Sequence, residues 1–165
     1  LTPHTAFQAT AGVLGCKVNV NRVSYFPIVP TCMTICMKIT AKARSILVLN
    51  IGTSGGAWEL SWDAWNYLNT GKNATENPTK NDGIPFQWQF VETTECAHLI
   101  YTEDGKIPVR AVDLAYYRQC PNGTAQLYNI QSTQCTFGVD ERCKEPQSGI
   151  DLAICPSQLG INTPL

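Results

Sequence analysis

Cysteine constrains this chain more than any other residue type. Eight cysteines are spread irregularly over 165 residues, and no CxxC pair occurs. Zinc sites normally show two tight ligand pairs, and the only histidines here are His4 and His98. We therefore expect four disulfides, an oxidising compartment, and neither a metal nor another cofactor. The spacing does not choose among the roughly one hundred pairings that eight cysteines allow. The expected disulfide cysteines are Cys16, Cys32, Cys36, Cys96, Cys120, Cys135, Cys143 and Cys155.

Several further features predict a secreted, extracellular glycoprotein. Charged residues make up only 15% of the chain, against about 25% in an average globular domain. Two sequons, at Asn73 and Asn122, stand in turn-like contexts that would tolerate a glycan. The sequence begins at Leu1 without a methionine or a basic leader, as expected of a processed mature protein. No apolar run approaches the roughly 18 residues of a membrane span, so we expect no membrane association.

Charge is unevenly distributed along the chain. Residues 1–58 carry five basic residues and no acid, whereas thirteen acids and seven bases follow from Glu59 onward. The basic residues lack interleaved aromatics, so a solvated strand edge is favoured over a nucleic-acid surface. With a net charge of −1 there is no global field to recruit nucleic acid. We expect a monomer without a nucleic-acid partner, although the basic residues could steer an acidic partner.

Alternating or continuous apolar patterns predict most of the strands in the first half. Residues 16–26 alternate, and residues 32–41 and 44–52 read as two strands around a short turn. The prolines of the segment 27–30 should end the first strand, because proline donates nothing to a ladder. Residues 84–90 alternate aromatic with glutamine and give the strongest strand pattern.

Three tryptophans fall within eight residues, around a predicted helix that begins after Ser61 and stops at Gly71. Trp65 shares one helical face with Leu60 and should be core. Trp88 alternates with two phenylalanines and should also be core. Trp58 and Trp62 remain as the tryptophans with a plausible exposed role.

Beyond Cys96 the periodicity weakens. Residues 113–120 favour a short helix, residues 124–130 and 135–139 short strands, and the end reads as a disulfide-tied tail. We expect residues 97–165 to form a cysteine-rich extension in which crosslinks replace part of a core.

The blocks 46–68 and 83–91 carry a resemblance to a known family. The chain contains, in this order, an apolar strand, a Gly-rich turn, "ELSWDAW", Gly83 and "IPFQWQFVETTEC". This order resembles that of the double-psi β-barrel proteins, which include barwin-like proteins, expansin barrel domains and secreted papain inhibitors. The resemblance covers about residues 13–96. It implies a mainly β fold with short helices. Residues 1–96 would form an N-terminal arm and a six-stranded double-psi β-barrel, and the disulfide-tied extension 97–165 would pack on that barrel.

The same resemblance argues against catalysis. Hydrolytic members of the family use two carboxylates. Their general acid lies in a stretch similar to His-Phe-Asp-Leu-Ser. The corresponding stretch of this chain is Ala57-Trp58-Glu59-Leu60-Ser61. Glu59 takes the acid position without the preceding histidine. A strand-terminal aspartate of the pattern is Asn50 here, and nothing in the sequence argues for Asp82 or Glu92 as a substitute. We expect no enzyme; a degenerate glycoside hydrolase using Glu59 is the weakest of three hypotheses.

The first hypothesis is a secreted, non-catalytic binding protein similar to fungal effectors. It would act in virulence by inhibiting a papain-like cysteine protease of a host through rigid loops. An expansin-like or barwin-like module that binds cell-wall polysaccharide is the alternative. The residues expected to bind a partner are Pro27, Ile28, Val29, Pro30, Ser54, Gly55, Gly56, Trp58 and Trp62.

Overall fold

The computed structural model describes residues 1–4, 6–80 and 83–165. Within these residues the fold is mainly β, with nine strands, two short α-helices and three 3-10 helices. The strands are β1 (Thr2–His4), β2 (Val23–Phe26), β3 (Cys36–Ala41), β4 (Arg44–Thr53), β5 (Glu59–Ser61), β6 (Gln87–Phe90), β7 (Ile107–Arg110), β8 (Ala125–Ile130) and β9 (Gly138–Cys143). The helices are α1 (Trp62–Thr70) and α2 (Leu114–Arg118), and the 3-10 helices span Gly15–Lys17, Cys32–Thr34 and Thr93–Leu99.

Six strands form one sheet in the order β1-β5-β2-β4-β3-β6. The pairs β1/β5 and β2/β4 are parallel, and the other pairs are antiparallel. The described strands include no ladder between β1 and β6, so the closed barrel expected from the sequence is not found. Leu1 and Ile84, which flank those two edges, do exchange backbone hydrogen bonds of 3.2 and 2.9 Å.

The predicted pair of strands around residues 42–43 is confirmed as the β3–β4 hairpin. Its turn residues, Lys42 and Ala43, both have positive φ, at 48° and 62°. Two-residue turns whose twist matches that of the flanking strands require positive φ at both residues. The predicted first strand of the pair is shorter than expected, because residues 32–34 form a 3-10 helix. Thr31 and Thr34 cap that helix through reciprocal side-chain and backbone hydrogen bonds.

The predicted helix is confirmed as α1, which is followed and capped by Gly71 in the left-handed region (φ 81°). Trp65 is fully buried, as expected, and packs in one apolar cluster with Leu60 and Leu68. Ser61 occupies the N-cap position but its side chain makes no capping bond. Its hydroxyl instead accepts a hydrogen bond from the Val23 backbone N–H at 3.5 Å.

The strand predicted over residues 16–26 is wrong in its first half. Residues 15–17 form a 3-10 helix and β2 begins only at Val23. The Asn19 side chain accepts from the Asn21 N–H, and the Asn19 carbonyl accepts from the Arg22 N–H. Asparagine stabilises local turns in this way, and here the turn displaces the strand.

The aromatic strand predicted over residues 84–90 is shorter and more exposed than expected. Only Gln87–Phe90 form β6, which lies at the sheet edge and pairs with β3 alone. Trp88 is therefore half-buried and Phe90 is 40% exposed. The expectation that Trp88 would be a core residue is wrong, since alternation shows which side chains share a face but not whether that face is covered.

Residues 107–143 form a second sheet, β7-β8-β9. The predicted helix (α2) and the strand β8 are confirmed, whereas the strand expected at 135–139 begins later, at Gly138. One apolar cluster contains residues from both parts of the chain, such as Val13, Leu49, Val109 and Leu127. The boundary at residue 96 stays a prediction.

The four expected disulfides are present, and the structure supplies the pairing that the sequence did not. The bonds join Cys16 to Cys135, Cys32 to Cys120, Cys36 to Cys96 and Cys143 to Cys155. Two of them tie the extension to the first part of the chain. Within the described residues, no helix has the length and apolar character needed to cross a membrane.

Candidate functional site

The topology brings the two predicted binding loops together. Strands β2 and β4 run parallel, with Phe26 opposite Thr53 at their ends. The segments that follow them, residues 27–30 and 54–58, therefore leave the sheet side by side, at the same end of the two strands. The Ser54 N–H donates to the Phe26 carbonyl at 3.0 Å, and the Thr53 hydroxyl to the Ile28 carbonyl at 3.5 Å. We call residues 27–30 and 54–58 the loop pair.

The first loop of the pair is a rigid apolar tip. Val29 is 72% exposed, while Ile28 is half-buried and Pro30 is buried. Proline fixes φ at both ends of the segment, so Val29 is presented to solvent by a backbone with little freedom to lose on binding.

The second loop is braced by its own serine. The Ser54 hydroxyl donates to the Ala57 carbonyl and accepts from the Gly56 N–H. Gly56 has a φ of 135°, a conformation that side chains rarely permit. A Cβ at Gly55 or Gly56 would meet no atom within 4 Å, so the tip of this loop is open to a partner.

Trp58 is a half-buried residue of the loop pair that is continuous with a partly exposed set of aromatic rings. Its ring centroid lies 5.7 Å from that of Trp88, which lies 5.1 Å from that of Phe90. The buried ring of Phe26 supports Trp58 edge-on at 4.9 Å. We call Trp58, Trp88 and Phe90 the aromatic row. Sequence reasoning missed Trp88 and Phe90, although an alternation of aromatics with glutamine is compatible with a half-exposed edge strand.

Trp62 does not belong to this surface. Strand β5 begins at Glu59, beside the loop pair, and ends at Ser61, so Trp62 follows its opposite end. The Trp62 indole N–H donates to the Thr79 carbonyl at 3.2 Å, and Trp62 lines a cavity of about 320 Å³ together with His4 and Asp63. The structure therefore separates the two tryptophans that sequence reasoning had grouped.

Glu59 has a partner that the sequence did not reveal. Parallel pairing of β1 with β5 places His4 Nδ1 3.5 Å from the Glu59 carboxylate. The imidazole lies 4.2 Å from the Tyr25 ring. Burial raises the pKa of the Tyr25 hydroxyl. The hydrogen bond from the Gln8 N–H lowers this pKa, and the negative charge of Glu59 raises it further. No local pattern could have linked His4 to Glu59, because only the strand pairing joins them.

The two acidic residues weighed as a second carboxylate were Asp82 and Glu92. Asp82 lies outside the described residues, and Glu92 is exposed, directly before the 3-10 helix Thr93–Leu99. Asp63, in the first turn of α1, accepts from Arg22 at 2.7 Å and from the Ala74 N–H at 2.8 Å, so both of its oxygens are occupied in structural bonds. Among the residues that the structure describes, no group of three histidine, cysteine or acidic side chains could hold a metal ion.

Both sequon asparagines are accessible. Asn73 and Asn122 are exposed, Asn122 in a turn and Asn73 directly before one. Their side chains are free to carry the expected glycans without disturbing the core.

Comparisons with known proteins identify no relative. No protein-family model, curated protein or solved structure matches this chain. The resemblance to double-psi β-barrel proteins therefore stays a prediction from the sequence blocks 46–68 and 83–91.

Proposed function

We propose that this chain is a non-catalytic binding protein that docks its loop pair against another protein. The observation that carries the proposal is the exposed Val29 in the loop between Pro27 and Pro30. The Ser54–Phe26 backbone hydrogen bond and the bond from the Thr53 hydroxyl to the Ile28 carbonyl join this loop to its neighbour. A pre-organised loop loses little conformational entropy on docking. Binding by such a surface needs no chemical step.

The specific target we propose is the active-site cleft of a papain-like cysteine protease. This choice comes from the resemblance to secreted papain inhibitors, and the shape of the loop pair supports it: a narrow apolar tip is suited to a cleft. A loop lying across the cleft blocks substrate without supplying a catalytic group. The protein would then be a secreted effector-like inhibitor acting on a host enzyme outside the cell.

The first prediction concerns Val29. Replacing it with aspartate is expected to weaken equilibrium binding to immobilised papain at least tenfold, because a charge would be buried in the contact without a partner. Ile150→Asp is the matched control, since Ile150 is 52% exposed and lies in the tail. Equal affinities of the two variants would remove the loop pair from the interface.

The aromatic row supports a second candidate function, binding of cell-wall polysaccharide. Its three rings follow one another at centroid spacings of 5.1 and 5.7 Å and are partly open to solvent. Aromatic faces are large apolar surfaces on which the faces of sugar rings can pack. In this proposal the aromatic row is the sugar-binding surface, in place of the pair Trp58 and Trp62 that the sequence analysis suggested.

On this second candidate, the protein is expected to co-sediment with insoluble cellulose or chitin. Phe90→Ala should release most of the bound protein, whereas Tyr101→Ala should not, although Tyr101 is also exposed (60%). Sedimentation that is absent for the unmodified protein would leave the polysaccharide candidate without support.

We further propose that the six-stranded sheet is a double-psi β-barrel. The two parallel pairs in an otherwise antiparallel sheet and the reciprocal Leu1–Ile84 hydrogen bonds support closure between β1 and β6. Four disulfides support an oxidising, extracellular location. We propose no catalysis at Glu59, because its close ionisable neighbour is an imidazole rather than the second carboxylate that glycoside hydrolysis requires.

A further inference from the structure

One side of strand β6 carries backbone groups that have no partner. Strand β6 pairs with β3 alone, and the Val91 N–H, just beyond it, donates to the Cys36 carbonyl at 3.0 Å. In an antiparallel pair, residues that bond to the neighbouring strand alternate with residues whose N–H and C=O point away from it. Phe90 and Trp88 lie one and three positions before Val91, so their backbone groups point away from β3. These two N–H groups and two carbonyls form no hydrogen bond among the residues that the structure describes. We call this side of β6 the free edge.

Just before β6, the same side of the chain is covered by an extended segment of this protein. Leu1, directly before β1, exchanges two backbone hydrogen bonds with Ile84, at 3.2 and 2.9 Å, as opposed residues of an antiparallel pair do. Ile84 lies an even number of residues before Trp88, and the backbone groups of alternate residues in an extended chain point to the same side. The structure thus shows which kind of occupant fits this side: an antiparallel strand covers it at Ile84, and the free edge lies further along the same line.

Strand β6 lacks the features that usually keep an edge strand from pairing. Charged side chains, prolines and bulges are the common protections. The sequence of β6 is Gln-Trp-Gln-Phe, without charge or proline, and its register with β3 is regular. Three of its four residues are exposed and Trp88 is half-buried. Nothing on this strand therefore opposes the addition of another one.

We propose that the free edge binds an extended segment of a partner protein, which adds to β6 as an antiparallel strand. Two residues of that segment, two positions apart, lie opposite Trp88 and Phe90 and exchange N–H···O=C hydrogen bonds with them. Directly opposed residues share a face of the sheet, so these two side chains are apolar and contact the aromatic rings. The residue between them lies on the face of the two glutamines and is polar and uncharged. The inference is independent of docking by the loop pair, because it needs neither Val29 nor a protease.

The test titrates a short peptide into the ¹⁵N-labelled protein. The probe is acetyl-Thr-Val-Thr-Val-Thr-amide. Its control is the same peptide with both valine nitrogens methylated, which keeps the side chains but lacks the two donors that would face β6. Near saturation with the probe, we expect hydrogen exchange at the Trp88 and Phe90 amides to slow at least threefold. The Gln89 amide, which points toward β3, should not change. The methylated peptide should bind at least tenfold more weakly, because two hydrogen bonds are lost.

Phe90→Lys and Gln87→Lys are the matched variants, since each adds one positive charge to β6 at an exposed position. Phe90→Lys should weaken binding of the probe at least threefold, because it replaces a ring that the added strand contacts. Gln87→Lys, on the opposite face of β6, should leave binding unchanged.

Three results would overturn the inference. The first is equal binding of the two peptides, and the second is unchanged exchange at the Trp88 and Phe90 amides. The third is protection of these amides in the free protein that increases with protein concentration, which would assign the free edge to a second copy of this chain. A soluble cellulose or chitin oligosaccharide that packs on the rings should not slow these amides, so the test also separates strand addition from sugar binding.

Discussion

Replacing Cys16 and Cys135 with alanine is expected to lower the free energy of unfolding by about 4 kcal/mol. This disulfide joins residues 119 positions apart, and a crosslink restricts the unfolded chain more as the loop it closes grows longer. The Cys32–Cys120 bond remains in this variant and shortens the effective loop to roughly 30 residues, so the loss is smaller than an uncrosslinked loop of the full length would give. Typical domains are stable by only about 5 to 15 kcal/mol, so the variant should be close to unfolding.

The matched control is the Cys143–Cys155 pair, which spans only 12 positions. Its replacement is expected to cost about 3 kcal/mol, and both variants are compared by guanidinium unfolding of the oxidised proteins. A larger loss from the short crosslink than from the long one would contradict the view that these bonds act mainly on the unfolded chain. It would point instead to packing of the tail around Cys143.

Trp65→Ala should destabilise the protein by about 3 to 5 kcal/mol, the usual cost of removing a large buried aromatic. Trp65 is fully buried in the apolar cluster that contains Phe26 of β2 and Ile39 of β3. Its indole N–H also donates to the Leu1 carbonyl at 3.1 Å, so the substitution removes both packing and the anchor of the N-terminal segment.

Two further variants separate the two contributions. Trp65→Phe keeps much of the packing but leaves the indole's hydrogen bond unmade, and should cost less than Trp65→Ala. Trp62→Ala tests the half-buried neighbour and should cost least, because less area is lost. Urea unfolding of the three proteins checks this order, and a loss for Trp62→Ala as large as for Trp65→Ala would show that the tryptophans were assigned the wrong environments.

Local patterns in the sequence predicted the elements whose residues all lie close together in the chain. The β3–β4 hairpin and α1 are such elements, since alternation, a turn and a glycine stop are each readable within a few residues. The predicted loops also appear where β2 and β4 end. The strand expected at residues 16–26 failed because hydrogen bonds of Asn19 competed with the strand pattern.

Features that depend on distant pairing could not be read from the sequence. The parallel pairing of β2 with β4 places the loop pair on one edge, and that of β1 with β5 brings His4 to Glu59. The exposure of Phe90 depends on β6 being an edge strand. The Cys32–Cys120 bond is one of many pairings that the cysteine spacing allowed.

Val29 is the large apolar side chain that the loop pair exposes most. Since few interface residues usually carry most of the binding energy, Val29 is the position at which the surface is most sensitive to substitution.

The most direct test of docking by this surface is a titration of papain activity with the purified, oxidised protein, beside a reduced control. We predict stoichiometric inhibition by the oxidised protein and its loss on reduction, because the disulfides hold the surface in shape. Full papain activity at a micromolar excess of the oxidised protein would contradict the proposed target, and the aromatic row would then be the surface to examine.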